Sequence, residues 1–150
     1  MKLSTKGRYG VRAMLDLALH YGQGPIALKH VAERQNISEH YLEQLVVILR
    51  RAGLVRSMRG AQGGYTLSRE PGKITLGDVI RSLEGPISPV DCVSEEDPEY
   101  CSRAGFCITR GIWEKIRDNI AGILDSTTLE DMCRQAEQLA RANNPYMYYI

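Results

Sequence analysis

Ser38-Glu-His-Tyr-Leu-Glu-Gln-Leu-Val-Val-Ile-Leu-Arg-Arg-Ala-Gly53 and the stretch after it, Leu54-Val-Arg-Ser-Met-Arg-Gly-Ala-Gln-Gly-Gly-Tyr-Thr-Leu-Ser68, decide the fold of this 150-residue chain. Leu42, Leu45, Val46 and Leu49 recur at helical spacing and predict a helix from Glu39 to about Ala52. Ser38 is placed to cap it, and Glu39 brings a negative charge to its first turn. The opposite face carries His40, Gln44, Val47 and Arg51, flanked by Glu43 and Arg50. Gly53 ends the helix. Two short β-type runs joined by Gly60-Ala-Gln-Gly-Gly64 then read as a hairpin.

Upstream, Val11, Met14, Leu15, Ala18 and Leu19 predict a helix from Thr5 to about Tyr21, stopped by Gly22, Gly24 and Pro25. A short helix fits Leu28 to Gln35, with Leu28, Val31 and Ala32 on one face and a tight turn at Asn36-Ile37. Helix, short helix, turn, polar-faced helix and Gly-rich hairpin make a winged helix-turn-helix. Downstream, Pro71-Gly72 breaks the chain, and Thr75 with Asp78 forms a capping-box pair for a helix from Leu76 to Leu83. Its apolar face is Leu76, Val79, Ile80 and Leu83. A loop follows Gly85-Pro86 and lasts to about Ile108. A longer helix from Thr109 to about Asp125 carries Ile112, Trp113, Ile116, Ile120, Ile123 and Leu124. Thr128 caps a last helix to about Ala142, and the chain closes Tyr146-Met-Tyr-Tyr-Ile150. The expected fold is mainly α with a small β-hairpin wing: a winged helix-turn-helix over 1–70, a connecting helix and loop over 71–108, and a long helix, C-terminal helix and tail over 109–150.

Charge separates the halves. Residues 1–70 hold 11 Lys/Arg against 5 Asp/Glu, and residues 71–150 hold 8 against 13, so the first half is the one suited to a polyanion. No apolar run approaches the ~20 residues of a bilayer span, and no secretory signal opens the chain, so a cytoplasmic protein without membrane association is expected. No phosphate loop, dinucleotide fingerprint or nucleophile elbow is present, so the chain does not read as an enzyme. The third helix fits double-stranded DNA. Ser38, His40, Tyr41, Glu43 and Gln44 lie near its N-terminal end, where side chains can read base edges in the major groove. Arg50, Arg51 and Arg56 suit phosphates, and Arg59 with Gln62 sits on a slim hairpin tip that can enter a minor groove. A protein-interaction module is the competing use of such a fold.

Cys92, Cys101 and Cys107 gather in an acidic loop broken by Pro98 and Gly105, where sulfur chemistry rather than packing is the reason for cysteine. Their spacing is Cys-x8-Cys-x5-Cys. Zinc, an iron–sulfur cluster and a bare thiol switch are all open to three such thiols. Cys133 is different: it lies on the stripe Leu129, Met132, Ala136, Leu139 and reads as a packing residue.

Leu3-Ser-Thr-Lys-Gly-Arg-Tyr-Gly10, Ile37-Ser-Glu-His-Tyr-Leu-Glu-Gln-Leu45 and Gly53-Leu-Val-Arg-Ser-Met-Arg-Gly-Ala-Gln-Gly-Gly-Tyr65 resemble the bacterial winged-helix regulator family of IscR, NsrR and CymR, and the likeness spans nearly the whole chain. The resemblance implies a homodimeric transcription factor on a pseudo-palindromic operator. It also implies that the long helix pairs with its partner through Ile112, Trp113, Ile116, Ile120 and Ile123, and a stripe this apolar suits a two-fold interface. IscR-type members hold a [2Fe–2S] cluster with three cysteines of this loop and a histidine. Cys92, Cys101 and Cys107 match in order and location, but the first gap is longer here and Arg110 stands in the histidine's place. NsrR-type members use an acidic residue where this chain has Arg8. The fourth ligand is open, with Asp91 and Glu99 as local donors and solvent or a small thiol beside them, and a [4Fe–4S] cluster would be served equally. CymR-type members repress cysteine-metabolism genes with cysteine synthase as partner. Glu84-Gly-Pro-Ile-Ser-Pro-Val90, Leu124-Asp-Ser-Thr-Thr-Leu-Glu-Asp131 and the aromatic tail look like that branch. The expected function is a regulator that senses iron–sulfur status through a [2Fe–2S] cluster, with a cluster-free repressor of cysteine metabolism, signalling through cysteine synthase, as the alternative.

Overall fold

The computed structural model describes residues 2–143. Its helices are α1 (Thr5–Leu19), α2 (Leu28–Gln35), α3 (Glu39–Arg51), α4 (Leu76–Glu84), α5 (Ile108–Ser126) and α6 (Leu129–Asn143). Between α3 and α4 run β1 (Val55–Met58) and β2 (Gly64–Leu67), an antiparallel pair in which Val55 faces Leu67 and Met58 faces Gly64. The expected mainly α architecture with a hairpin wing is borne out. Short 3-10 turns occur at Pro71–Lys73 and Asp91–Val93.

Local chemistry accounts for most boundaries. The Ser38 hydroxyl accepts from Tyr41 N–H at 3.3 Å and starts α3. Asn36, with φ 52, makes the left-handed turn between α2 and α3. Thr75 and Asp78 cap α4 reciprocally at 2.9 and 3.0 Å, and Thr128 and Asp131 repeat the device on α6 at 2.9 and 3.1 Å. The two capped starts are tied side by side, because Leu76 N–H donates to the Thr127 carbonyl at 2.8 Å and Leu129 N–H to the Ile74 carbonyl at 3.0 Å. Ile26 adds a third edge to the hairpin through paired 2.8 Å bonds with Tyr65.

The core is built on Met14, Leu42, Leu49, Leu67, Ile74, Val79 and Leu129, and places α3, the hairpin, α4 and the start of α6 around α1. On α1 the buried face is Gly7, Gly10, Ala13, Met14, Asp16, Leu17 and Ala18; of the expected stripe Met14 and Ala18 are buried, but Val11 and Leu15 are only half-buried and Leu19 is exposed. The helix stops at Leu19, two residues before the expected end. The reason for the shift is close packing. A Cβ at Gly7 would collide with the Glu84 carboxylate, and one at Gly10 with the Leu83 side chain, so the glycines let α4 approach the α1 backbone.

Asp16 is buried on α1, where Arg34 donates to it from Nε at 3.0 Å and from Nη2 at 2.7 Å, and Gln35 Nε2 donates at 3.0 Å. Burial pushes this carboxyl up, but the bonds from Arg34 and Gln35 and the Arg34 charge outweigh it and hold it below the ordinary carboxylate value. The group fixes α2 against α1 and so sets the frame on which α3 sits.

Candidate nucleic-acid interface and cysteine loop

α3 buries Leu42, Leu45, Val46 and Leu49 and turns His40, Glu43 and Gln44 outward. His40 is 81% exposed, lies 3.3 Å from Gln44 Nε2 through its own Nε2, and is 3.9 Å from Glu43 through Nδ1. Three polar groups are thus in contact on the outer surface of the first two turns, where base-reading side chains belong. Arg50 and Arg51 are exposed at the other end of the helix. Arg56 and Met58 are exposed on β1, and Arg59 and Gln62 at the hairpin tip, where Gly60 takes φ 117 and its carbonyl accepts from Gly63 N–H at 3.0 Å. Ser38 is committed to capping. Tyr41 is half-buried, its ring edge-on to Tyr9 at 5.9 Å.

Tyr9 and Thr5 are absent from the residues picked out by sequence. With Ile37, Ser38, His40 and Tyr41 they line a cleft of about 360 Å³ between the first turns of α1 and α3. The Arg12 and Arg8 guanidinium carbons lie 5.2 and 6.0 Å from the Tyr9 ring centroid, which brings positive charge to the same edge. The Ser-Thr-Lys-Gly-Arg-Tyr motif carried the signal without its place in space.

The second site is the loop from Gly85 to Cys107. Its near limb is anchored: Ile87 and Val93 are buried, and the Val93 carbonyl accepts from Arg117 at 3.0 Å. Glu95 receives Arg81 at 2.9 and 2.8 Å, and Arg81 also holds Asp125 at the end of α5 at 2.6 and 3.0 Å. The bonds from Arg81 keep Glu95 below the ordinary carboxylate value, and those from Glu95 and Asp125 raise Arg81. The far limb projects Tyr100, Phe106 and Ile108, which are 93%, 72% and 86% exposed.

Cys92, Cys101 and Cys107 are free and half-exposed. Cys92 belongs to the anchored limb and the other two to the far one. Cys107 is the N-cap of α5, its sulfur 3.2 Å from the Thr109 hydroxyl. The bonds from the Thr109 hydroxyl and the Arg110 and Thr109 amides, with the Arg103 charge, lower its pKa, so it is biased toward the metal-binding thiolate. Among the described residues Arg110 Nε, one helical turn beyond Cys107, is buried without a hydrogen-bond partner. Three thiols and an unsatisfied donor suit a soft, negatively charged group such as an iron–sulfur cluster. Among the described residues, however, no three His, Cys, Asp or Glu side chains converge as a metal cage. Cys133 is half-buried against the core, and burial pushes its thiol up, in keeping with a packing role.

The family model described as Rrf2, iron-dependent transcriptional regulator, matches residues 3–135. The chain belongs to the Rrf2 family. It is 52% identical to the HTH-type transcriptional regulator CymR of Bacillus subtilis over 150 residues, all of both chains. It is 41% identical to IscR of Xenorhabdus nematophila over 139 residues, 93% of this chain and 83% of that one. Among solved structures, CymR, described as the global cysteine regulator of B. subtilis, superposes with a TM-score of 0.76 at 54% identity, covering 90% of this chain and 98% of that one. T. potens IscR gives the same TM-score, 0.76, at 51% identity, covering 93% and 90%. As an Rrf2 regulator, this chain is a DNA-binding transcriptional regulator and not an enzyme. Among the described residues no helix is long and apolar enough to cross a membrane.

Proposed function

We propose that this Rrf2 regulator is a cytoplasmic homodimeric repressor that reads a pseudo-palindromic operator with α3 and the hairpin, and senses iron–sulfur status through a [2Fe–2S] cluster in the loop after α4. The observation that carries the sensing half is the set of three free thiols on one loop, with Cys107 capping α5. Cys92, Cys101 and Cys107 would hold the cluster. When bound, it supplies a redox-active, oxygen-sensitive centre whose presence reports iron and sulfur supply. The residues of the chain do the rest. The Thr109 hydroxyl and the first amides of α5 lower the Cys107 pKa and so favour its thiolate form. Arg81 and Arg117 fix the near limb carrying Cys92.

On the DNA side, His40, Glu43 and Gln44 face base edges, while Arg50, Arg51 and Arg56 meet phosphates and Arg59 with Gln62 enters the minor groove. Ile112, Trp113, Ile116, Ile120 and Ile123 form the dimer face. No residue of α5 is buried in the single chain, and Ile112 and Ile123 are 49% and 66% exposed, which is the pattern of a helix awaiting a partner. Anaerobic purification and reconstitution, followed by visible absorption and iron and sulfide analysis, tests the cluster. About two irons and two sulfides per chain are expected, and none in a Cys92→Ala/Cys101→Ala/Cys107→Ala variant. A colourless, iron-free wild type after reconstitution overturns the reading.

The full-length likeness to the B. subtilis global cysteine regulator favours a second reading, a cluster-free repressor of cysteine metabolism signalling through cysteine synthase. Its proposed contact, the tail Tyr146–Ile150, lies outside the described residues. Deletion of Tyr148 to Ile150 would then abolish co-purification with cysteine synthase and leave the three loop cysteines dispensable.

A further inference from the structure

The last turn of α4 touches both halves of the molecule. On one side Arg81 grips Glu95, three residues beyond Cys92, and Asp125 of α5. Glu95 in turn accepts from Ile87 N–H at 2.8 Å, which closes the near limb of the loop on itself. On the other side, three residues later, Glu84 Oε1 accepts from Ser4 N–H and Gly7 N–H, both at 3.1 Å, and from the Ser4 hydroxyl. A carboxylate there meets the positive end of α1 and shares the Gly7 amide with the capping Ser4 hydroxyl, which accepts from it at 3.2 Å. Leu83, between them, packs where Gly10 leaves room. The first turn of α1 then presents Thr5 and Tyr9 to the cleft shared with Ser38, His40 and Tyr41.

The geometry points to Glu84 as a positioning residue for DNA binding: the Arg81–Glu84 turn is the joint through which the cysteine loop and α5 set the place of the α1 start beside the N-terminus of the recognition helix. Glu84 touches no DNA in this scheme. It acts through Ser4 and Gly7. A displacement of Glu95 or Asp125 pulls on Arg81, and the helical turn carries it to the carboxylate that holds α1. Both groups sit on one helical turn, so the two sites are joined by a contiguous packed element. The proposal rests on the reading of the cysteine loop as the sensing segment, but its test needs no cluster and so fails separately from that reading.

The test is operator affinity of the full-length protein, measured by fluorescence anisotropy on a duplex that the wild type has selected from a random pool. Removing a carboxylate beside DNA strengthens binding if charge is all that matters. A positioning role predicts the opposite sign: Glu84→Ala weakens binding about fivefold, the lower end of typical coupling effects. Glu84→Gln, which keeps an accepting oxygen for Ser4 and Gly7, restores most of it. Arg81→Gln, or Glu95→Gln if that variant fails to fold, breaks the joint from the loop side. Either is expected to weaken binding by a similar factor and to speed amide exchange at Gly7 and Arg8 several-fold. Combined with Glu84→Ala it adds little, because both act on one element. Unchanged or tighter binding by Glu84→Ala overturns the proposal, as does a double variant whose losses multiply.

Discussion

Asp16→Asn is the sharpest test of how the reading helix is held. The change keeps shape and removes charge from a side chain whose residue is 1% exposed. The carboxylate accepts two bonds from Arg34 and one from Gln35. Asparagine keeps one accepting oxygen and turns an NH2 toward the remaining donors. Breaking a buried ion pair from one side costs about 3–5 kcal/mol. The Arg34 side chain is 39% exposed and water can take up part of its charge, so the low end, about 3 kcal/mol, applies. For a chain of this size that is a fall of about 6–12 °C in Tm. The pH dependence follows from the depressed carboxyl. Its contribution is complete above the unfolded value near ~3.9 and is lost as pH falls through the lower folded value. The gap between wild type and variant therefore narrows as pH falls below ~4, while above that the nearby His20, 3.6 Å from Asp16, adds its own charge dependence to the wild type. Urea unfolding at stepped pH, with calorimetry at neutral pH, measures both. A gap under about 1 kcal/mol at neutral pH, or one that does not shrink on acidification, refutes the account of Asp16 as a charged tie between α1 and α2.

Gly10→Ala places a methyl against Leu83 and should cost about 1–3 kcal/mol in chemical unfolding by overpacking the α1–α4 contact. Arg59→Ala should weaken operator binding about tenfold and flatten its salt dependence by about one charge, while Gln44→Ala should cost about 1–3 kcal/mol and relax the preference at one base position, both read by anisotropy on selected and substituted duplexes. Ile116→Glu puts a charge in the middle of the half-buried face of α5 and should yield a monomer in sedimentation, with operator binding reduced to that of a single half-site.

What could be read from the sequence was what local chemistry controls. Ser38, the Thr75–Asp78 pair and Thr128 announce their helices because a cap needs only residues three apart. The hairpin was legible because Gly60 marks the turn between two β-type runs. The buried face of α1 was not, since periodicity weighs large apolar side chains and is blind to Gly7 and Gly10, whose value lies in what they omit. Asp16 was passed over for a related reason: a lone carboxylate on a helix looks solvated until Arg34 and Gln35, on another element, are brought to it. Thr5 and Tyr9 came to the recognition helix only by tertiary packing. The cysteines were legible as donors, but their separation between an anchored and a projecting limb was not, because Arg81 and Arg117, which make the difference, lie outside the loop.

That separation has a mechanical consequence for a regulator. α3 is backed by Leu42, Leu45, Val46 and Leu49, at 0–1% exposure, and cannot shift without opening the core. The far limb of the loop is joined to the near one by Glu99 N–H on the Asp91 carbonyl, has local ties from Ala104 to Cys101 and Phe106 to Arg103, and presents its aromatic side chains to solvent. Any event that draws Cys101 and Cys107 toward Cys92 therefore moves the far limb most and loads the ties that anchor the near one. The motion has two outlets. One is the first turn of α5, whose N-cap is Cys107 itself, and so the face expected to meet the partner. The other is the Arg81 clamp at the stem and, through α4, the start of α1. The reading surface is thus repositioned as a unit rather than reshaped, and the response to the loop should appear as altered spacing of intact recognition helices, with base preference at each half-site unchanged.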